Sequence, residues 1–281
     1  MSTPNPRDWI GNGERCEDDL APALADRIAA TFGAPRPEPG QALPHLWHWA
    51  FFQIPVDAEG LGTDGHPARG GFLPPAHGRN RMWAGGRLWF HAPLRVGEPA
   101  VRESEITDIQ EKQGRSGALL FVTVRHRYRQ AAAVAVEEEQ DIVYREPSAP
   151  RLSLDRPMPD PDWSETITPD PTLLFRYSAV TFNSHRIHYD WPYVTDAEGY
   201  PGLVVHGPLI ATTLLHAFAR AHPDARIDTF AFRGLRPLIA PAPFTARGVI
   251  ESPGAARLWA ANDNGPAHEA ELTFTEQTQD D

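Results

Sequence analysis

The chain has 281 residues and a formal net charge of −11. That length suits two domains of average size, and the acidic balance argues against nucleic acid or an anionic membrane surface as a partner. The single cysteine, Cys16, excludes an internal disulfide and a cysteine-based zinc site.

No apolar run approaches membrane-spanning length, and the N-terminus MSTPNPRDW has no secretory apolar region, so a reducing cytoplasm is the expected location. Residues 1–16 read as loosely structured. Glu17 to Phe32 predicts a helix, with Leu20, Leu24 and Ile28 at helical spacing and Gly33 closing it. Leu46 to Ile54 is a dense aromatic run, expected as a buried strand or the turn into one. Gly60 to Arg79 is rich in Gly, Pro and His without a period, and predicts a long loop. Arg87–His91, Val101–Gln110, Leu119–Gln130 and Val134–Tyr144 predict antiparallel strands. Residues 148–171 carry many prolines and acidic side chains and are expected as a linker.

Beyond the linker, Phe175 to Phe182 alternates and is β-prone, so it predicts a strand. Asn183-Ser184-His185-Arg186 breaks it with turn-forming residues, and Ile187, His188, Tyr189 and Asp190 follow. Gly207-Pro208 opens an apolar helix over about 208–221, and strands are expected at 227–233, 243–251, 255–261 and 268–275. A weak internal match, FHAPLRVGEP at 90–99 against FRGLRPLIAP at 232–241, fits a duplicated architecture. One helix and several antiparallel strands in each half give an α+β class.

The stretch SAVTFNSHRIH (178–188), followed by GYPGLVVHGPL (199–209), resembles the signature of the MaoC-like hydratases and dehydratases, roughly S-A-x-T-G-D-x-N-P-x-H followed by H-G. Phe182-Asn183 replaces Gly-Asp, His185 replaces Asn, Arg186 replaces Pro, and the final His is kept as His188. LPHLWHWAFF, GGFLPP and RMWAGGRLWFHAPLRVGE make the likeness closest to the 3-methylfumaryl-CoA (mesaconyl-CoA) and itaconyl-CoA hydratases, with the mitochondrial hydroxyacyl-thioester dehydratases as cousins. The likeness runs from about Leu43 to Phe274. It implies a double hotdog, each half an antiparallel sheet wrapped around a helix: an N-terminal hotdog over 1–147 with the substrate-pocket half, and a C-terminal hotdog over 172–281 with the catalytic loop. It also implies hydration of an α,β-unsaturated acyl-CoA to citramalyl-CoA, with no metal or bound cofactor and with coenzyme A entering as part of the substrate. A homodimer is the expected assembly, although no particular residue argues for it.

His188 is the leading candidate base, since neutral imidazole can take a proton from water near neutral pH. Asn183 stands where fatty-acyl relatives carry an aspartate; it either positions the water or caps a turn. Gly207, through its backbone N–H at a helix N-terminus, is the candidate oxyanion donor. Arg186 suits a second carboxylate on the acyl group, or a partner such as Asp190. His185 and His206 are expected on the substrate side, the latter bracing the loop. Arg81 is a weaker candidate for the acyl carboxylate or for the phosphates of coenzyme A. Trp83 lines the acyl path or belongs to the aromatic core. The remaining readings are a fatty-acid-type 3-hydroxyacyl-thioester dehydratase, a non-catalytic acyl-CoA-binding hotdog protein, and a hotdog thioesterase.

Overall fold

The structure is a computed structural model that describes residues 4–76, 78–114 and 117–276. It divides into two compact units. The first holds the described residues up to Gly86, with His91–Ala149 and Tyr177–Arg186; the second holds Arg87–Phe90, Pro150–Arg176 and the chain from Ile187 onward.

In the first unit, β1 (Gly13–Asp18), β3 (Ala100–Gly114), β4 (Gly117–Gln130), β5 (Ala133–Arg145) and the start of β2 (Asn80–Phe90) are ordered β1-β3-β4-β5-β2. The ladders β1–β3, β3–β4 and β4–β5 are antiparallel. Leu120, Val122, Val124, His126 and Tyr128 alternate along β4 and are all buried, as the period of two requires when one face is covered. The apolar end of that face joins Ile106, Ile109, Leu120, Val122, Val124, Ile142 and Tyr144 to Ala76, and Trp9, Phe72 and Leu73 pack on it. Its other end is polar. The fully buried Glu138 carboxylate accepts bonds from Trp49 Nε1, Tyr128 Oη and Gln140 Nε2, each at 2.9 Å. His48 Nε2 lies 3.5 Å from Oε2; burial opposes ionisation of Glu138, and the His48 hydrogen bond leads the interactions that prevail and hold its carboxyl low.

Helix α1 (Pro22–Phe32) starts five residues later than the periodicity suggested, because Gly13–Asp18 is a strand. Asp18 then ends that strand productively, its carboxylate accepting from the Leu20 and Phe52 N–H groups at 2.8 and 2.9 Å. The aromatic run at 46–54 forms a short 3-10 turn, Trp47–Ala50, rather than a strand.

In the second unit, β7 (Ala225–Gly234), β8 (Phe244–Ser252), β9 (Ala255–Asn262), β10 (Gly265–Glu276) and β6 (Trp163–Ile167) form the order β7-β10-β9-β8-β6, antiparallel throughout. Helix α3 (Gly207–Ala221) packs against all five. Leu209, Ile210, Leu214, Leu215 and Phe218 are buried, each contributing about 1.5–3 kcal/mol. Small residues on the facing strands, Ala246, Ala256, Ala260 and Ala270, are also buried and let the sheet curl closely around the helix. This is a hotdog arrangement, and the chain has the expected double hotdog fold. β6 lies within the stretch expected as linker.

A further element departs from its predicted type. Residues 171–180 form helix α2 (Pro171–Val180), not a strand. Asp170 Oδ1 accepts the Leu173 N–H at 2.7 Å, and Pro171 fills the first helical position. Leu174, Tyr177 and Ser178 are buried at helical spacing, while Phe175 is exposed. Capping and the helical burial stripe outweigh the β-prone composition. No helix among the described residues is long and apolar enough to cross a membrane.

Candidate functional site

The loop after α2 is built from two tight turns. Phe182 takes a positive φ of 50°, and the Asn183 N–H donates to Ser178 O at 2.9 Å. Asn183 Oδ1 then accepts the His185 N–H at 3.0 Å, so this side chain closes the turn, with a second lone pair left on the oxygen. A 3-10 turn, Arg186–His188, follows.

In the second unit, His188 is buried and its Nδ1 lies 2.7 Å from Val204 O. A carbonyl oxygen can only accept, so Nδ1 carries a proton, and in the neutral ring Nε2 presents its lone pair. The Val204 N–H donates back to Ile187 O at 3.0 Å, which fixes the two segments to each other. The His188 ring stacks on His206, with centroids 3.6 Å apart and planes 19° from parallel. His206 is the N-cap of α3, and Gly207 and Pro208 open the helix. The imidazole of His188 is thereby held against the residue that precedes the helix N-terminus, where backbone N–H groups and the helix dipole favour negative charge. Behind Gly207 sits His268, whose Cε1 would lie 3.6 Å from a Cβ at that position. Burial, reinforced by Arg236, lowers the His268 pKa to about 4, so this ring is neutral.

In the first unit, the unpatterned loop at 60–79 reaches the same chain segment as Asn183. Gly65 has φ +87°, and a Cβ there would lie 2.0 Å from Ser184 O, so this approach requires glycine. The Ser184 hydroxyl donates to Gly65 O. Arg186 donates from its backbone to Asp64 O and from Nη1 to Thr63 O, both at 2.9 Å, so it braces this contact. The His185 ring lies over His66, with centroids 4.2 Å apart. His66 Nδ1 is 3.5 Å from Asp64 Oδ2, and its N–H donates to Asp64 Oδ1 at 3.0 Å. Burial opposes ionisation of Asp64, but the His66 hydrogen bonds prevail and hold its carboxyl far below the usual range. Ligand atoms of Asp64, His66 and His185 lie within 4.8 Å of one another, a spacing that could hold a metal ion.

Arg81, on β2, is partly buried beside the Tyr144 hydroxyl. Trp83 lies elsewhere in its environment: its indole N–H donates to Gly85 O at 2.8 Å and its ring meets Trp49 edge-on at 4.9 Å. The sequence reading did not single out Asp64, His66, Arg69, Tyr144 or His268. For the first two the available signal was Asp-Gly-His, a turn triplet inside a functional-length loop.

A family model for hydroxyacyl-thioester dehydratase type 2 matches residues 46–240. A mesaconyl-C(4)-CoA hydratase of Chloroflexus aurantiacus is 49% identical over 249 residues, covering 87% of this chain and 89% of that protein. A mitochondrial hydroxyacyl-thioester dehydratase type 2 of Schizosaccharomyces pombe is 28% identical over 262 residues, covering 79% and 85%. Among solved structures, a MaoC-like dehydratase from Phytophthora capsici superposes with a TM-score of 0.70 at 13% identity, over 99% of this chain and 100% of that one. A Mycobacterium tuberculosis protein described as a double hotdog superposes with a TM-score of 0.59 at 14% identity, over 98% of each chain. The fold and this match place the protein in one class, the hydro-lyases built on hotdog folds. Within it, the chain belongs to the MaoC-like hydroxyacyl-thioester dehydratase type 2 family.

Proposed function

We propose that the protein adds water to the double bond of mesaconyl-C(4)-CoA, giving citramalyl-CoA. The observation that carries the reading is the tautomer of His188, fixed by Val204 O, with the ring held against the N-terminus of α3. Nε2 takes a proton from water as the oxygen forms a bond to the β-carbon. The electron pair of the double bond moves toward the thioester, and its carbonyl oxygen takes on enolate charge at the Gly207 N–H. The α-carbon then takes a proton, and the imidazolium formed at His188 holds the one just removed. The net change is one water added across one C=C bond, without oxidation or reduction. No redox cofactor is required, and coenzyme A comes with the substrate. Asn183 serves as the water-positioning group through the remaining acceptor and donor capacity of its amide.

The substrate assignment is supported by the 49% identity to a mesaconyl-C(4)-CoA hydratase. Itaconyl-CoA is the neighbouring substrate, and a 3-hydroxyacyl-thioester dehydratase activity is the second reading, supported by the more distant mitochondrial relative. The test follows loss of the conjugated-thioester absorbance with mesaconyl- and crotonyl-CoA in parallel, and formation of citramalyl-CoA by mass spectrometry with itaconyl-CoA, whose double bond is not conjugated to the thioester. Highest kcat/KM on mesaconyl-CoA is expected. A preference for crotonyl-CoA or longer straight chains would favour the second reading. In the same assay His188→Ala should lower kcat by about 10²–10⁴-fold, and near-normal turnover would remove His188 from the chemistry.

A further inference from the structure

Around Tyr144 the first unit collects cationic and donor groups out of proportion to its acids. Tyr144 is fully buried at the end of β5, and its hydroxyl finds no acceptor among the described residues. The Arg81 guanidinium lies beside that hydroxyl, and no carboxylate among the described residues is within ion-pair distance of it. Arg69 sits over the Tyr144 ring, its Cζ 5.5 Å from the centroid, anchored by Nη1 bonds to Ala76 O at 2.6 Å and to Arg79 O. Among the described residues Asp64 is the one acid that faces them, with Oδ2 3.9 Å from Arg69 Nη2, and it is already engaged by His66. Burial raises the Tyr144 hydroxyl above its ordinary pKa even against the two guanidiniums, so it remains a donor.

A buried hydroxyl without an acceptor costs the full desolvation of the group unless something fills the role. The surroundings specify what would fill it. Two guanidiniums and one carboxylate leave a local positive excess in a chain whose overall charge is −11. The same excess opposes a divalent cation on Asp64, His66 and His185, because both arginines act on His66 and Asp64. An anion with planar acceptor geometry fits: a carboxylate can take two parallel N–H bonds from a guanidinium and a third from the hydroxyl.

We propose that Arg81 and Tyr144 form the subsite for a free carboxylate on the acyl group, with Arg69 supplying field and Asp64 holding the surrounding loop. The inference rests on the hydratase reading above for the identity of the acyl group. Within the first unit, Asp64 contacts Arg186 and His66 contacts His185. In mesaconyl-C(4)-CoA the free carboxylate is bonded to the β-carbon, the atom that receives water. Binding energy drawn from that carboxylate is available only to an acyl group that carries one, so the subsite sets specificity and not only affinity. This gives Arg81 the carboxylate-binding part and leaves Arg186 a brace for the 63–65 turn.

The experiment measures binding without turnover. Succinyl-CoA and butyryl-CoA have four-carbon acyl groups and no double bond, and only the first carries a second carboxylate. Calorimetry on the wild type, Tyr144→Phe and Arg81→Gln gives the ratio of the two dissociation constants. The wild type should prefer succinyl-CoA. Tyr144→Phe, which keeps the ring in the core, should cut the preference by roughly tenfold. Arg81→Gln should bring the ratio close to one, with butyryl-CoA affinity little changed. Absence of preference in the wild type, or equal loss of both ligands in a folded Tyr144→Phe, would overturn the subsite. If Arg81→Gln fails to fold, both ligands are lost and Tyr144→Phe alone decides. A protein that prefers succinyl-CoA through these residues but does not hydrate mesaconyl-CoA would overturn the proposed reaction and leave the subsite standing.

Discussion

Gly207→Ala separates stability from chemistry at the N-terminus of α3. Gly207 is the first residue of the helix, its φ lies outside the left-handed region, and a Cβ there would meet nothing nearer than His268 Cε1 at 3.6 Å. That is ordinary van der Waals contact, so the fold itself does not require glycine. Alanine in a compatible conformation stabilises by about 0.4–1 kcal/mol, chiefly by restricting the unfolded chain. For a chain of this size that raises Tm by roughly 1–4 °C. The added methyl group, however, stands beside the N–H expected to receive the thioester oxygen. Removing an oxyanion donor costs about 10²–10³-fold in kcat, and a methyl that shifts the oxygen off it should cost at least about tenfold. Differential scanning calorimetry and steady-state kinetics on one preparation read both effects. A variant as active as wild type would remove the helix N-terminus from the mechanism. A variant less stable than wild type would refute the packing argument.

Three further outcomes are expected. Tyr128→Phe removes one donor to the buried Glu138 carboxylate and should lower denaturant stability by about 1.5–3 kcal/mol without changing substrate preference, and urea titration checks it. Arg186→Gln loses the bond to Thr63 O and should lower kcat/KM by about fivefold for mesaconyl- and crotonyl-CoA alike; a loss confined to mesaconyl-CoA would return the carboxylate to Arg186. Burial lowers His126 and His268 from 6.5 to about 4, so the unfolded chain takes up protons between those values before the folded chain does. Their contribution is present in full above pH about 6.5 and is lost as pH falls toward 4, so Tm should drop across that window; a flat profile from pH 7 to 4 would contradict their burial as neutral rings.

The parts of the fold set by periodicity were legible in the sequence. β4 alternates cleanly because one face is covered, and α3 is apolar all round because five strands enclose it. α2 was misread because Phe175, Tyr177 and Val180 are β-prone, although Asp170-Pro171 is a helix-start signal that the aromatic alternation masked. β6 was hidden by its proline-rich flanks: it is a five-residue edge strand, placed by Trp163 packing on Phe218 at 5.8 Å. His188 and Gly207 were visible because their spacing belongs to one motif on one stretch of chain. The Arg81–Tyr144 pairing was not, because it joins the start of β2 to the end of β5 and neither residue has a distinctive neighbour in sequence.

The most direct test of the account is hydration in isotopically labelled water. Purified protein, mesaconyl-CoA and ¹⁸O water should yield citramalyl-CoA with one labelled oxygen, on the carbon that bears the methyl group. The conjugated absorbance should fall at the same rate, and His188→Ala should abolish both signals. Unchanged mesaconyl-CoA, or free coenzyme A with the label in a released carboxylate, would contradict it.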